Sequence, residues 1–281
     1  MIQDIAPKVY HNEFFIRKPK EQDCFFYIKE GKSLICNKEG HFPFAAFQDF
    51  SPEMPEIQEA ADYLFSISGQ NFFLVDEQRV QLPEKEGFSL EPFTVFRTLV
   101  PQWAGFAGAT GSQLHRFYRS RSYCGRCGHP MEKKKDERAM LCPVCKNVEY
   151  PKISPGIIVA VTDGDRILMT RYAGRKNPHY ALVAGYTEIG ETLEETVQRE
   201  VMEEVGLRVR NIRYYKNQPW AFSDTLMVGF FADLDGSPEI HRDAAELATA
   251  EWFTREDMPY RTLDISLTAE MIERFRQGES C

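Results

Sequence analysis

The 281-residue chain has a formal net charge of −8 at pH 7 and a pI of about 5.4. This acidic balance gives no overall attraction to nucleic acid or to an anionic membrane surface. Charged residues make up 27% of the chain and hydrophobic residues 43%, as in an ordinary globular protein whose length suits two or three domains. Because no apolar run could span a membrane and the N-terminus has no signal-peptide core, we expect a cytoplasmic protein.

Residues 1–117 contain no clear chemical motif and are predicted to form a small α/β domain. Apolar runs at residues 24–28, 33–36 and 71–75 predict strands. Residues 55–65 predict a short helix. Residues 93–118 predict a longer helix, although the three glycines inside it lower helix propensity.

Residues 118–150 contain two C-x-x-C pairs, Cys124 with Cys127 and Cys142 with Cys145. Each pair can fold as a tight knuckle, and two knuckles supply the four thiolates that structural zinc prefers. The odd total of seven cysteines argues for thiols and a metal site over a disulfide framework. We therefore predict a ribbon that holds one Zn2+, with redox activity of either pair as the alternative.

Basic residues surround these cysteines and leave two interpretations of the ribbon surface. They are Arg116, Arg119, Arg121, Arg126, Lys133, Lys134, Lys135 and Arg138. Such a rim could contact the phosphates of nucleic acid. The acidic side chains of Glu132, Asp136 and Glu137 are interspersed with it, and this favours a solvated hairpin instead.

Residues 151–281 are predicted to form a third domain. Residues 157–161 predict a buried strand, 163–165 a hairpin turn and 166–172 the partner strand. Residues 180–184, 207–215 and 225–231 predict further strands. The segment NQPWAFSDT, residues 217–225, predicts a hairpin loop that is either a buried aromatic plug or a platform on which a base stacks.

A helix is predicted between the capping-box residues Thr192 and Glu195 and the terminating Gly206. Its apolar stripe is formed by Leu193, Thr196, Val197 and Val201, and three carboxylates are expected to lie off that stripe. These are Glu200, Glu203 and Glu204, whose spacing i, i+3, i+4 places them on one helix face. Because like charges at this spacing repel, the patch suits a hard divalent cation; a solvated Glu-rich helix is the alternative.

Residues 185–207 read G-x5-E-x7-R-E-V-x-E-E-x-G-L, which resembles the Nudix box. Four features also occur in the same order as in the zinc-containing bacterial NADH pyrophosphatases, enzymes that remove NAD caps from RNA. They are the four-cysteine ribbon, the segment PKISPGIIVA, the box and the segment NQPWAF. The likeness runs from about residue 119 to the C-terminus; the preceding region matches only in size and position. It implies an α+β chain with an N-terminal α/β domain, a small zinc ribbon and a C-terminal Nudix α/β/α sandwich with a mixed sheet.

The resemblance also implies roles for individual residues. Glu200, Glu203 and Glu204 match catalytic, metal-binding glutamates, Glu246 matches a further ligand, and Ala184 matches a position that offers its carbonyl. The implied metal is Mg2+ or Mn2+. The implied substrate contacts are Tyr186, Gln218, Pro219, Trp220, Ala221, Phe222, Ser223, Asp224, Thr225, Glu137, Tyr150, Thr268 and Arg97. Tyr186 would stack on a base, and Gln218 could hydrogen-bond a polar edge.

Some positions depart from the family pattern: Asn217, Ala221, Ser223 and Thr225 replace residues of the aromatic array, and Tyr186 replaces the commoner phenylalanine. These departures bear on the preference among NADH, NAD, capped RNA and other dinucleotides.

The implied reaction is hydrolysis of the diphosphate bond of NAD(H) to nicotinamide mononucleotide and AMP, with NAD-capped RNA as a further substrate and a homodimer as the assembly. A diphosphate repels hydroxide, so cations must screen its oxygens, and Glu203 or Glu204 could take a proton from the attacking water. Arg199 and Glu191 are expected to pair and hold the loop against the helix. The alternatives are a broader dinucleotide or nucleoside-diphosphate-sugar hydrolase, and a nucleotide-binding regulator whose ribbon contacts nucleic acid.

Overall fold

A computed structural model describes residues 1–174, 179–259 and 265–279. The chain divides into two compact units, Ile2–Lys152 and Met1 together with Ile153–Cys281. The finer division at 1–117, 118–150 and 151–281 stays a prediction. In the described ranges, no helix has both the length and the apolar character that crossing a bilayer requires.

The unit of Ile2–Lys152, which is described throughout, contains a seven-stranded mixed sheet. Its strands are β1 (Tyr10–His11), β2 (Cys24–Lys29), β3 (Lys32–Cys36), β4 (Ala45–Ala46), β5 (Ala61–Ile67), β6 (Gln70–Val75) and β7 (Phe88–Pro92). Their order is β1-β5-β6-β2-β3-β7, with β4 paired to β2. Strands β2 and β6 run parallel. The three strands predicted in this region are therefore confirmed.

Helix α1 (Gln102–Ser120) is shorter than the helix predicted at residues 93–118, because Phe93–Arg97 is a separate 3-10 helix and Pro101 caps α1. Its glycines serve close packing. A Cβ at Gly108 would lie 2.2 Å from the ring of Phe96, and a Cβ at Gly111 would lie 2.4 Å from the ring of Phe26. The aromatic rings of the sheet and of the 3-10 helix thus lie directly against the helix backbone.

The helix predicted at residues 55–65 is wrong over most of its length. Only Pro55–Gln58 is helical, in a 3-10 turn, and residues from Ala61 onwards form β5. The side chains of Tyr63, Leu64 and Phe65 are all buried, so this short run packs in the core of the sheet. Short apolar runs of this kind do not distinguish a buried strand from a helix.

The ribbon contains three short strands, β8 (Glu132–Lys133), β9 (Met140–Leu141) and β10 (Val148–Glu149), in the order β10-β9-β8. A small core lies beneath them, in which Met131 and Met140 pack with Phe117 and with the thiols of Cys124 and Cys142.

The second unit contains a six-stranded sheet and two helices in its described ranges. Its elements are β11 (Ser154–Asp163), β12 (Arg166–Tyr172), β13 (Val183–Tyr186), α2 (Leu193–Val205), β14 (Val209–Trp220), β15 (Thr225–Leu234), β16 (Leu247–Thr254) and α3 (Leu267–Arg276). The order is β14-β15-β11-β12-β16, with β13 paired to β11, and β11 runs parallel to β15. The sheet is therefore mixed, as predicted.

Alternation along β11 directs neighbouring side chains to opposite faces of this sheet. Ile157 belongs to a core with Val197 and Val201 of α2, whereas Ile158 belongs to a core with Met271 of α3. The two helices therefore cover the two faces, and the predicted α/β/α sandwich is confirmed.

Two local predictions in this unit need adjustment. The strand predicted at residues 180–184 begins at Val183, although Ala181 makes an isolated bridge to Thr170. Residues 217–220 are not loop: β14 continues through Trp220, which pairs with Thr225 across the hairpin. Pairing with β15 therefore extends the strand into the aromatic segment.

Candidate active site

Helix α2 begins and ends as its sequence predicts. The Glu195 amide donates to the Thr192 hydroxyl, and the Thr192 amide donates to Glu195 Oε2 at 2.8 Å, so the capping box is complete. Gly206 has φ 70 and ends the helix in the left-handed conformation, which glycine adopts without steric cost. The position of this helix determines where three glutamates lie.

Arg199 joins the loop before α2 to the helix itself. Its Nε donates to Glu191 Oε1 at 2.6 Å and its Nη2 to Glu191 Oε2 at 3.0 Å, a two-pronged pair. The same Nη2 donates to the Tyr186 carbonyl at 2.9 Å. The hydrogen bond from Arg199 holds the pKa of Glu191 down at about 2. The predicted Arg199–Glu191 pair is confirmed.

The guanidinium of Arg199 also contacts two of the three clustered glutamates. Its Nη1 donates to Glu200 Oε1 at 2.8 Å and to Glu203 Oε2 at 3.0 Å. Sequence reasoning missed these contacts, although the i, i+4 spacing of Arg199 and Glu203 is a signal for the second. One fixed cation thus partly offsets the repulsion within the carboxylate patch.

Glu204 lies deeper than its neighbours. The prediction placed all three glutamates off the apolar stripe, but Glu204 is only 3% exposed, and amides of the segment after β15 donate to the carbonyls of Glu204 and Val205 at the end of α2. Its Oε2 is buried and has no hydrogen-bond partner among the described residues. Burial and, to a smaller extent, the charges of Glu200 and Glu246 together raise the pKa of Glu204 to about 8. A buried acceptor facing other carboxylates favours a cation beside it.

Glu246 is brought to this patch by the loop before β16. The Asp243 amide donates to the Glu204 carbonyl at 2.9 Å, and the Ala173 amide donates to the Glu246 carbonyl at 2.8 Å. Glu246 is exposed, and its charge raises the pKa of Glu200 as well as that of Glu204. The fourth predicted carboxylate thus lies near enough to Glu200 and Glu204 to affect their pKa values, although it is 42 positions beyond Glu204 in the sequence.

Strand β13 meets α2 at Gly185. A Cβ built on Gly185 would lie within 2.3 Å of all three atoms of the Glu200 carboxyl group, so the carboxylate lies directly against the strand backbone. The preceding residue is Ala184, half-buried and paired with Ile158 of β11. Carboxylate oxygens beside backbone carbonyls are a donor set that suits a hard cation such as Mg2+ or Mn2+.

The aromatic hairpin lies beside β13. Tyr186 is 53% exposed, and its hydroxyl lies 3.2 Å from the hydroxyl of Thr225 at the start of β15. The rings of Trp220 and Phe222, both half-buried, lie with centroids 4.9 Å apart. The half-buried rings of Trp220 and Phe222 do not decide between a plug and a stacking platform, whereas the ring of Tyr186 is exposed.

The turn of the hairpin spans residues 221–224. Ala221 is buried, while Pro219 and Ser223 are exposed. Asp224 adopts a left-handed φ of 55, and its carbonyl accepts from the Ser154 amide at 2.8 Å, which ties the turn to the start of β11. Thr225 is buried, and its hydroxyl lies 2.9 Å from that of Ser223.

Gln218 differs from the expectation that its side chain hydrogen-bonds a substrate. It is 2% exposed; its Nε2 donates to the Ile265 carbonyl at 2.8 Å, and its Oε1 accepts from the Leu267 amide at 2.7 Å. Both ends of the amide therefore anchor the start of α3. Thr268, the next residue of that helix, is held beside the hairpin by the same contact.

Three predicted substrate residues belong to the other unit. Within the ribbon, the Tyr150 hydroxyl donates to Glu137 Oε1 at 3.3 Å, and Tyr150 is 58% exposed. Arg97 is exposed at the end of the 3-10 helix Phe93–Arg97. The structure thus brings Glu137 and Tyr150 together, while Arg97 lies in a separate element.

The four ribbon cysteines converge on one point. Their Sγ atoms all lie within 4.8 Å of one another, and the closest pairs are 3.4–3.5 Å apart. A tetrahedral Zn2+ with bonds of about 2.3 Å requires sulfurs about 3.8 Å apart, so this set fits zinc. Hydrogen bonds from the amides of Cys145 and Val144 lower the pKa of the Cys142 thiol to about 6. Four thiols complete a tetrahedral set and leave no open coordination position, so the cluster fits a structural Zn2+, in agreement with the prediction.

Ion pairs occupy much of the basic rim of the ribbon. Arg119 pairs with Glu77, Arg121 with Glu149, Lys133 with Asp62, and Lys134 with both Asp136 and Glu137. Arg138 donates to the Leu64 carbonyl. These contacts favour the interpretation as a solvated, partly neutralised surface.

Comparison with known proteins agrees with this geometry. Residues 152–275 match the model of the NUDIX domain, and residues 119–150 match that of the NADH pyrophosphatase zinc ribbon domain. The chain is 42% identical over 202 residues to the NAD-capped RNA hydrolase NudC of Salmonella typhi, covering 67% of this chain and 77% of that protein. The chain belongs to the Nudix hydrolase family.

A second curated relative and a solved structure were also found. The NAD-capped RNA hydrolase NudC of Klebsiella pneumoniae is 42% identical over 200 residues, with the same coverage of both chains. A crystal structure of a Nudix hydrolase from Nitrosomonas europaea, 19% identical, matches 56% of this chain and 90% of its own with a TM-score of 0.48.

Proposed function

We propose that this Nudix hydrolase cleaves the diphosphate bond of NAD(H) to give nicotinamide mononucleotide and AMP, and that it also removes NAD caps from RNA. The observation that carries the proposal is the buried Glu204 carboxylate, whose Oε2 lacks a partner beside Glu200 and Glu246. The names of the relatives, NAD-capped RNA hydrolases, support the choice of substrate.

The catalytic metal in this proposal is Mg2+ or Mn2+, held by Glu200, Glu203, Glu204 and Glu246 with the Ala184 carbonyl. When bound, such a cation screens the phosphoryl oxygens and lowers the pKa of a coordinated water. The unpartnered Glu204 oxygen and the closeness of Glu200 to the backbone of β13 support this set. All of its donors are oxygen atoms, which hard cations prefer.

The remaining chemistry belongs to residues of this chain. Glu203, whose side chain is 60% exposed, or Glu204 accepts a proton from the attacking water. Arg199 keeps the carboxylates in place through its bonds to Glu191, Glu200 and Glu203. A base stacks on Tyr186, with Trp220 and Phe222 completing the aromatic surface.

The remaining residues that the family resemblance implies as substrate contacts are also proposed. They are Gln218, Pro219, Ala221, Ser223, Asp224, Thr225 and Thr268 in the Nudix unit, and Arg97, Glu137 and Tyr150 in the other. Given its internal bonds, Gln218 would act by holding the start of α3 and with it Thr268. We also propose a cytoplasmic homodimer.

A substrate panel tests this function. Purified protein with Mg2+ or Mn2+ is offered NADH, ADP-ribose, diadenosine compounds and NAD-capped RNA, and the products are separated chromatographically. We expect the highest kcat/KM for NADH or NAD-capped RNA. Faster turnover of ADP-ribose or diadenosine compounds would instead support a broader dinucleotide hydrolase, and binding without turnover would support a regulator.

A further inference from the structure

A cavity of about 670 Å3 opens in the unit of Ile2–Lys152, which holds none of the clustered glutamates. It is lined by residues of β2 and β3, by the turn between β5 and β6, and by Trp103 in the first turn of α1. Its volume lies within the range of about 300–1,000 Å3 that small-molecule sites occupy. The proposed hydrolysis assigns no role to it.

The lining carries more positive than negative groups, although the chain as a whole is acidic. Lys8 and Lys38 line the cavity, against the single carboxylate of Asp49. That carboxylate is already engaged: Asp49 Oδ2 accepts from the Ala46 amide at 2.8 Å and thereby caps a 3-10 turn.

The two lysines lie against aromatic rings. Lys8 Nζ lies 5.2 Å from the centroid of Trp103, and Lys38 Nζ lies 5.0 Å from that of Phe88. Neither ammonium makes an ion pair with a carboxylate among the described residues. An unpaired ammonium at the wall of a cavity is a point charge suited to a phosphate group.

The rest of the wall suits a flat, polar ring. Trp103 and Phe42 stack with centroids 4.8 Å apart and an angle of 20° between their planes. Ring faces of this kind pack against a base, and side-chain amides such as that of Gln70 can hydrogen-bond its edges. From the cations, the aromatic walls and the volume together, we propose that this cavity binds a nucleoside monophosphate, a site additional to the one for diphosphate hydrolysis.

Isothermal titration calorimetry with AMP in Mg2+-free and Mn2+-free buffer tests the proposal. Adenosine and inorganic phosphate serve as the two half-ligands. We expect AMP to bind more tightly than either half, and the double variant Lys8→Ala/Lys38→Ala to weaken AMP binding at least about tenfold through loss of the charged contacts. Lys32→Ala, which removes an exposed lysine outside the cavity, is the matched control and should bind AMP like the wild type.

Tyr186→Ala separates this site from the aromatic surface of the Nudix unit, where AMP is a product of the proposed reaction. AMP binding that survives Tyr186→Ala and falls in Lys8→Ala/Lys38→Ala supports the cavity. The proposal is overturned by absence of AMP binding, by inorganic phosphate binding as tightly as AMP, or by sensitivity to Tyr186→Ala alone. Should the double variant fail to fold, the exposed Lys8→Ala alone provides the same comparison.

Hydrolysis of NADH distinguishes failure of this site from failure of the proposed function. The lysine variants should retain NADH turnover within about twofold, because neither lysine contacts the glutamate patch in this proposal. Loss of AMP binding in the lysine variants with NADH turnover intact then reports on the cavity alone. Absence of NADH turnover in the wild type would contradict the proposed function of the Nudix site and would leave the test of the cavity unchanged.

Discussion

The Glu200 carboxylate of α2 lies where a side chain on Gly185 of β13 would lie. A Cβ on Gly185 would come within 1.9 Å of Glu200 Cδ and 2.0 Å of Oε1, far closer than non-bonded atoms approach. Gly185 is not one of the glycines with a left-handed φ. Glycine is therefore required at this position by the close approach of Glu200 and not by the backbone conformation. The first glycine of the Nudix box thus allows a helix carboxylate to reach the strand backbone.

Gly185→Ala should displace Glu200 and reduce kcat/KM for NADH by about a hundredfold, the effect expected from a misplacement of about 1 Å. The melting temperature should change little. Gly125→Ala is the matched control, since a Cβ there meets no atom within 4 Å. Near-normal activity of Gly185→Ala with an unchanged dependence on Mg2+ would show that the Glu200 position is unimportant.

Glu204→Gln keeps the shape of the side chain but removes a charge from the carboxylate patch. Activity should fall at least about a hundredfold, as for loss of an acid–base or metal-binding group. Steady-state kinetics over a range of Mg2+ concentrations measure the effect, and Glu194→Gln, an exposed glutamate on the same helix, is the control. Ordinary turnover of Glu204→Gln at every Mg2+ concentration is incompatible with the proposed metal set.

Cys142→Ser should abolish tight zinc binding, because Cys142 is fully buried within the four-thiol cluster. Metal analysis should find about one zinc per wild-type chain and much less in the variant. The melting temperature should fall by more than about 5 °C, the equivalent of a few kcal/mol of lost stability. Cys36→Ser, outside the cluster, should retain its zinc. Equal zinc contents in both variants would contradict the assignment.

Tyr186→Ala should raise KM for NADH about tenfold or more, because stacking on a base contributes roughly 1–3 kcal/mol. The half-maximal Mg2+ concentration should be unaffected. Tyr186→Phe, which keeps the ring and loses only the contact with the Thr225 hydroxyl, should behave nearly like the wild type. An equal loss on a substrate that lacks the base would identify Tyr186 as a packing residue.

Glu191→Gln tests the pair with Arg199 through pH. The folded-state pKa of Glu191 is about 2, below its ordinary value of 4.5, so the charged form stabilises the fold above about pH 4.5. That stabilisation is lost as pH falls from about 4.5 towards 2. Urea titrations should therefore show wild type and Glu191→Gln differing most near pH 7 and converging below pH 4, with exposed Glu188→Gln as the control. A difference that does not change with pH would contradict the pairing.

The sequence predicts this fold best where local signals are strong. The capping box at Thr192, the terminating Gly206 and the strands 157–161 and 166–172 all lie where expected, because caps, turns and apolar runs act over a few residues. The helix prediction for residues 55–65 is wrong because local signals are weak there. The short apolar run suits a strand or a helix equally, and pairing with β6 decides the outcome.

The sequence predicts which residues form the candidate site but not how deeply their side chains are buried. Spacing identifies Glu200, Glu203 and Glu204 as neighbours, yet it does not predict that Glu204 is buried at the end of α2 to which residues 241–243 bond. Gln218 is another example, since its bonds to Ile265 and Leu267 span more than 45 positions of sequence. Contacts of such separation depend on tertiary packing and leave no local pattern to be found.

Product analysis of NADH hydrolysis tests the central claim most directly. Wild-type protein with Mg2+ should convert NADH to reduced nicotinamide mononucleotide and AMP in equal amounts, and Glu204→Gln should form both products at least about a hundredfold more slowly. Release of nicotinamide with ADP-ribose would mean that a glycosidic bond is cleaved instead of the diphosphate. That result, or absence of any turnover of NADH with either Mg2+ or Mn2+, would contradict the account.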